Sequence, residues 1–372
     1  MKVLLLSAYD ADSHKRWRKG LVAAFSDWQW TVLTLPPRYF SWRIRGNSLT
    51  WARGEAGQSL KQEWDLIIAT SMTDLSALRG LVPELVGVPT VVYFHENQFA
   101  YPVSSDAFQS IEPQLLNIYT ALAGDLLLFN SEYNRRTLID GAGKLLKRFP
   151  DCVPPGICEE LEQKSQVLPV PLEDSLFKKN KAMADFSWNH RWEYGYQGEV
   201  PKEVLIISWA ARWEYDKGAD RLLKILQGLK KNKINFLLNM MGQSFRNSPK
   251  EFEQIKREFA QNLLVVGYVD DTETYWQTLQ NSHVFISTAY HEFQGLAVME
   301  AVVAGCTPLV PDEQCYPEFY PESLRYSGVD DAVEKLKSSL AMHNKHEASE
   351  KLNFLRLSWG KLRSKYKTIL NE

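Results

Sequence analysis

The chain has 372 residues, 45% of them hydrophobic and 24% charged. That is too long for one ordinary hydrophobic core and suits two domains of soluble, globular composition. A net charge of −2 argues against a general nucleic-acid binder, yet residues 1–60 hold nine Lys/Arg and four Asp/Glu, a local +5 that leaves −7 elsewhere. Such asymmetry suits one face that meets a polyanion or a phosphate. The apolar start at 2–6 is too short for a signal peptide, and no run of about 18 apolar residues exists, so the cytoplasm is the expected location. The four cysteines (Cys152, Cys158, Cys306, Cys315) lack C-x-x-C spacing and read as inert thiols.

Short aliphatic runs at 2–7, 30–35, 66–69, 90–94 and 126–129 alternate with helical patterns at 15–25, 75–81 and 113–122. This rhythm predicts a parallel sheet covered on both faces. It repeats, with strands expected at 204–207, 235–239, 263–266, 284–286 and 307–310, and helices at 219–229, 249–261 and 296–304. The expected organisation is a first domain at 1–170, an aperiodic linker at 171–201, a second domain at 202–350 and a terminal helix at 351–372. S-W-N-H-R-W-E-Y at 187–194 is echoed by S-W-A-A-R-W-E-Y at 208–215. Only the second copy follows a strand, so that copy is expected to carry chemistry.

In open parallel sheets, ligands bind beyond the C-terminal ends of the strands. Arg212 and Lys217 lie just past a predicted strand, where a guanidinium and an ammonium can converge on one anionic group. H-E-F-Q-G-L-A-V-M-E at 291–300 follows another strand and opens a helix. Gly295 permits the sharp turn, the first helical N–H groups form an anion site, and the carboxylates Glu292 and Glu300 suit adjacent sugar hydroxyls.

R-x4-K followed by E-x7-E resembles the retaining glycosyltransferases of family 4. The resemblance implies an α/β protein of the GT-B fold, with two Rossmann-like parallel-sheet domains facing a cleft. It further implies that Arg212 and Lys217 hold a donor diphosphate, Glu300 the ribose and Glu292 the transferred sugar. The amides around Gln294, Gly295, Leu296 and Ala297 lie nearby, and loops at Gly242 and Tyr268 flank the base. Positioned cations stabilise the charge that grows on the departing phosphates, so no metal and no other cofactor is expected. Asp10-Ala11-Asp12 matches the D-x-D of metal-using enzymes, but it follows the first strand of the other domain. His343 and His346, at i, i+3 in a charged segment, read as surface residues.

In the first domain, H-E-N-Q at 95–98 ends a strand with four polar side chains where a purely structural loop would more often carry Gly, Asp or Ser. Asn130 and Ser131 also end a strand, with helix capping an equally good explanation. Arg38, Trp42, Arg43 and Arg45 alternate cations with rings, which suits phosphate contact combined with base stacking, and Ser13 and His14 open a second basic patch. Taken together, S-H-K at 13–15, W-R-I-R-G at 42–46, Y-F-H-E-N-Q-x-x-Y-P at 93–102 and F-N-S-x-x-N at 129–134 resemble the tRNA-queuosine mannosyltransferases.

That second resemblance implies transfer of mannose from GDP-mannose to queuosine in the anticodon of tRNA for aspartate. His95 would join Arg212, Lys217 and Glu292 as a catalytic group shaping the sugar pocket. Ser13, His14, Arg38, Trp42, Arg43, Arg45, Glu96, Asn97, Gln98, Asn130 and Ser131 would serve the acceptor. Ala11-Asp12 stands where that family has Gly-Gly, and Ala211 where it has His. Two other readings stay open on the residues: a lipid or polysaccharide acceptor, and a catalytically silent RNA-binding protein of the same fold.

Overall fold

The structure is a computed structural model; it describes residues 1–101, 110–178, 203–341 and 352–371. The first R-W-E echo at 187–194, most of the expected linker, and His343 and His346 lie outside those residues. The chain forms two compact units, Met1–Pro171 with Leu357–Glu372, and Leu172–Arg356. The terminal helix thus belongs to the first unit, a placement the sequence pattern leaves undecided.

The first unit holds strands β1 (Lys2–Ser7), β2 (Gln29–Thr34), β3 (Leu66–Thr70), β4 (Thr90–Phe94), β5 (Leu126–Phe129) and β6 (Ser165–Val167), in the order β2-β1-β3-β4-β5-β6. The second holds β7 (Leu205–Ala210), β8 (Phe236–Met241), β9 (Leu263–Gly267), β10 (Val284–Ile286), β11 (Thr307–Pro311) and β12 (Arg325–Tyr326), in the order β12-β11-β10-β7-β8-β9. Every strand pair is parallel. Runs such as Leu66–Thr70 and Phe236–Met241 are buried along their whole length, as strands covered on both faces must be. With all strands parallel, their C-terminal ends share one rim in each unit, and the loops on that rim carry the chemistry.

Two strands escaped the sequence reading, β6 and β12, with three and two residues at sheet edges. The arginine-aromatic segment, read only for its chemistry, is a 14-residue helix, Phe40–Arg53. Among the described residues no helix is long and apolar enough to cross a membrane.

The helix Trp359–Asn371 docks on the helix Asp12–Ala24 of the first unit through its apolar face, burying Trp359, Leu362, Tyr366, Ile369 and Leu370. Gly20 makes the approach possible, because a Cβ there would lie 2.3 Å from the Trp359 indole nitrogen. Gly20→Ala is therefore expected to destabilise the protein. Overpacking costs about 1–3 kcal/mol, which exceeds the helix-propensity gain of about 1 kcal/mol. Thermal unfolding checks this, and an unchanged or raised Tm would contradict the packing.

Candidate active site

In the second unit the rim is knitted by backbone hydrogen bonds between successive loops. Ala211 N–H donates to the Met241 carbonyl (3.1 Å), Trp213 N–H to Gln243 (2.9 Å) and Gly242 N–H to Gly267 (2.9 Å). Gly242 sits at φ 145°, and a Cβ there would fall 1.7 Å from the Ala211 carbonyl oxygen, so only glycine lets these backbones meet. Past β9, Tyr268 projects a largely exposed ring.

Lys217 is held from several directions. Its carbonyl accepts from Thr288 Oγ1 (2.8 Å), which in turn accepts from the buried Trp209 indole N–H (2.9 Å). Its Nζ donates to the His291 carbonyl (3.0 Å) and lies 3.1 Å from Asp216 Oδ2 and 3.6 Å from Glu292 Oε2. Asp216, buried and given no role on sequence grounds, fixes the facing loop as well, since its carbonyl accepts from the N–H groups of Tyr290 and His291. Arg212 lies nearer the surface, its guanidinium 3.1 Å from Glu214.

Glu292 is the carboxylate brought to Lys217. Burial alone would raise its pKa. The Lys217 ammonium, His291 and the N–H groups of Phe293 and Gly295 outweigh that and hold it below the usual carboxylate range. Gly295 follows at φ 75°, and the helix Leu296–Ala304 starts there with no side-chain cap, so its first-turn N–H groups, from Leu296 and Ala297 onward, face the rim as donors. Gln294 is buried beneath, its amide 3.8 Å from Met299 Sδ. In L-A-V-M-E-A-V-V-A, Glu300 is the sole polar residue, and it is only partly buried.

The first unit's rim is organised around His95, just past β4. Its ring packs 4.3 Å from that of His14, 4.7 Å from Tyr93 and 4.9 Å from Trp17, centroid to centroid. The terminal helix supports this box from below. Trp17 Nε1 donates to Tyr366 Oη (3.1 Å), Tyr366 Oη donates to the Pro169 carbonyl (3.0 Å), and Tyr93 Oη to the Leu168 carbonyl (2.7 Å). His14 Nδ1 donates to the Tyr9 carbonyl (2.6 Å). Among the described residues, Nε2 of His14 and Nε2 of His95 are both buried without a hydrogen-bond partner, and each such atom costs about 1–3 kcal/mol. Two orphaned imidazole nitrogens in adjacent rings are what a hydroxyl-bearing ligand would satisfy. Ser13 is exposed beside them, and Glu96 and Gln98 are half-buried.

Several expected acceptor residues prove structural. Asn97 is fully buried and fully used: its Nδ2 donates to Asn134 and Thr137, and its Oδ1 accepts from the N–H groups of Phe99 and Ala100. Asn130 donates to the His95 carbonyl (2.9 Å) and accepts from Asn134. Ser131 caps the helix Glu132–Leu146 through Asn134 N–H. Arg45 pairs with Asp74 (3.1 Å) and Glu112 (2.9 Å), joining three helices rather than presenting a free cation. Asp10 of the D-x-D match is held by Arg18 (2.6 Å) and Ser7 (2.9 Å). By contrast, Arg38 and Trp42 are exposed, and Arg43 is buried.

The histidine box makes a pH signature. Burial first, then the neighbouring His14, push the His95 pKa well below 6.5. As pH falls below 6.5, the unfolded chain takes up a proton that the folded protein refuses, so stability declines with acidification. His95→Gln is expected to flatten the fall of Tm on the acid side of 6.5; parallel Tm profiles for variant and wild type would remove His95 as the cause.

Residues 2–172 match the family described as tRNA-queuosine alpha-mannosyltransferase N-terminal, and residues 191–346 match glycosyl transferases group 1. A tRNA-queuosine alpha-mannosyltransferase of Drosophila melanogaster is 30% identical over 390 residues, spanning 100% of this chain and 96% of that protein. Among solved structures, the Anabaena protein HepE in complex with UDP superposes with a TM-score of 0.66 at 12% identity, covering 100% of this chain and 99% of that one. Sucrose-phosphate synthase from Thermosynechococcus elongatus gives 0.70 at 13%, covering 100% and 98%. At such identities the structural likeness speaks for the fold, which is GT-B. The chain belongs to the tRNA-queuosine alpha-mannosyltransferase family and is a nucleotide-sugar-dependent glycosyltransferase.

Proposed function

We propose that the protein moves mannose, with retention, from GDP-mannose to queuosine in the anticodon of tRNA for aspartate. The observation that carries this is the Lys217–Glu292 pair beside the uncapped start of the helix Leu296–Ala304. It stands in a chain whose full length aligns with a tRNA-queuosine alpha-mannosyltransferase. Lys217 and Arg212 take the diphosphate, together with the first-turn N–H groups after Gly295. Glu292 accepts a hydrogen bond from a sugar hydroxyl, Glu300 takes the ribose hydroxyls, and the loops at Gly242 and Tyr268 receive the guanine.

In the reaction, the bond between mannose C1 and the β-phosphate oxygen breaks while the acceptor hydroxyl oxygen bonds C1 on the same face. The acceptor proton passes to the departing phosphate oxygen, and GDP leaves. Negative charge grows on the diphosphate as the bond breaks, so cations and N–H dipoles fixed in place favour the transition state over the ground state. These groups suffice as charge stabilisers, and the reading requires no metal. His95 and His14 offer Nε2 atoms to a substrate hydroxyl, and Ser13, Glu96 and Gln98 line the acceptor's approach.

Incubation with radiolabelled GDP-mannose and tRNA with or without queuosine tests the proposal. Label is expected only on queuosine-containing tRNA, and equal labelling of both would refute it. Lys217→Ala removes the cation that faces both donor phosphate and Glu292. It is expected to lower kcat by about 10²–10³, as loss of one preorganised charge-stabilising group does. Single-turnover kinetics would show this, and an unchanged kcat would remove Lys217 from the leaving-group site.

A further inference from the structure

The two ends of the chain bring positive charge to one place. The helix Trp359–Asn371 carries Lys361, Arg363, Lys365 and Lys367 and no Asp or Glu. The helix Asp12–Ala24, on which it docks, carries Lys15, Arg16, Arg18 and Lys19 against the single acid Asp12. Eight cations thus meet one carboxylate on two adjoining helices of a chain whose net charge is −2. Other helices neutralise their own cations, as Lys224 does with Asp220 (3.2 Å), Lys256 with Glu253 (2.7 Å) and Arg135 with Glu132 (2.6 Å). On the terminal helix the contacts found among the described residues are with uncharged groups. Arg363 Nε donates to the Ala24 carbonyl (2.7 Å), its guanidinium stands 5.7 Å from the Phe25 ring centroid, and Lys365 Nζ donates to the Val167 carbonyl (3.4 Å). Such partners hold a cation in place without cancelling its charge. Like charges on neighbouring turns repel, and an anion lying across them relieves the repulsion.

The outer side of the terminal helix decides what kind of anion fits. Its rings, Trp359 and Tyr366, are buried, and so are Leu362, Ile369 and Leu370. Outward lie the cations with Gly360, Ser364, Thr368 and Asn371. A surface with charge and no ring contacts phosphates and leaves bases unread. It also lacks the apolar face by which a basic amphipathic helix enters a membrane, because that face is packed on the first unit. At 1.5 Å per residue, Lys361 to Lys367 spans about 9 Å of helix axis, a row suited to a backbone charged at every nucleotide. The face is also near the histidine box. His14 and Trp17, on the buried side of the helix Asp12–Ala24, pack on His95. Cations on the outer side of that helix therefore lie within about one helix diameter, roughly 10–12 Å, of the box.

We infer that the helix Trp359–Asn371, with the adjoining cations of the helix Asp12–Ala24, is a docking face for the phosphodiester backbone of the acceptor RNA's paired stem, held without regard to base sequence. The inference rests on the tRNA reading for the identity of the polyanion. It separates two tasks: the His95 box meets the nucleoside, and the terminal helix holds the stem.

The test measures binding across a salt series of full-length tRNA, with and without queuosine, and of an unpaired oligonucleotide with the anticodon-loop sequence. The variants are Lys361→Gln with Lys367→Gln, the reversal Lys361→Glu with Lys367→Glu, and a control pair, Lys231→Gln with Lys233→Gln, at exposed positions of the second unit. Lys361 and Lys367 are exposed, so the fold is expected to persist, with Tm as the check. The Gln pair is expected to weaken tRNA binding roughly tenfold, equally with and without queuosine. It is also expected to lower the slope of log affinity against log salt by about one per lysine. The Glu pair should weaken binding further. Binding of the unpaired oligonucleotide, GDP affinity by calorimetry and kcat at saturating tRNA should match wild type, while KM for tRNA rises roughly tenfold.

Unchanged tRNA affinity and salt slope in both pairs, beside a wild type that mannosylates queuosine-containing tRNA, would overturn the inference and leave the proposed reaction standing. Equal weakening by the control pair would overturn it too, since net charge and not the face would be responsible. Loss of anionic-vesicle binding in the variants, with tRNA binding unchanged, would assign the face to a membrane and overturn it. Loss of tRNA binding in the Lys361 and Lys367 variants alone, beside a wild type that transfers no mannose, would support the face and sink the reaction.

Discussion

Strand direction is the constraint on which the rest depends. Because every strand in both sheets is parallel, each unit has one rim where strands end and helices begin. Backbone groups there lack ladder partners and must find them in neighbouring loops. The bonds linking Ala211, Trp213 and Gly242 to the loops after β8 and β9 are that solution. They require backbones closer than any Cβ permits, at Gly242 and again at Gly218, whose Cβ would fall 2.0 Å from the Thr288 carbonyl oxygen. The stiffness of the donor loops thus follows from satisfying the rim.

The two rims solve opposite electrostatic problems. In the second unit, Lys217 is held among a carbonyl and two carboxylates, and in exchange it keeps Glu292 ionised against its burial. Such a cluster is charged and fixed before a ligand arrives, so little reorganisation accompanies charge growth on a leaving group. In the first unit, His95 is wrapped in Trp17, Tyr93 and His14, and burial there favours the neutral ring. A neutral imidazole can donate or accept toward a hydroxyl without placing a charge beside it.

The fold was largely legible because a strand buried on both faces leaves an apolar run, and β1, β4, β5 and β10 match the expected spans residue for residue. Strands β6 and β12 were not, since three or two half-polar residues at an edge leave no periodic signal. Glu292 and Gly295 could be read because they interrupt an apolar pattern at a strand-to-helix turn. Asp216 could not, since its value lies in contacts with residues 290 and 291, more than seventy positions away. Asn97, Asn130 and Ser131 carry structural bonds that their sequence positions do not reveal. A run of polar residues after a strand is equally what a buried amide network needs, and only the partners, Asn134, Thr137 and the loop N–H groups, separate scaffold from ligand site.

The terminal helix shows how far apart in sequence such dependence can run. Tyr366 is 349 positions from Trp17, yet its hydroxyl accepts the Trp17 indole N–H and lies 3.4 Å from that of Tyr93. Both rings form walls of the His95 box. The chain leaves the first unit at Pro171, builds the second, and returns at Leu357. The His95 box is therefore complete only with the helix Trp359–Asn371 docked, and that helix follows the second unit in sequence. Trp17 and Tyr93 are buried aromatic groups with polar ends, and an unmet N–H or O–H in that position would cost as much as a lost core contact. The helix Trp359–Asn371 therefore ties the histidine box to residues that lie beyond the second unit in sequence.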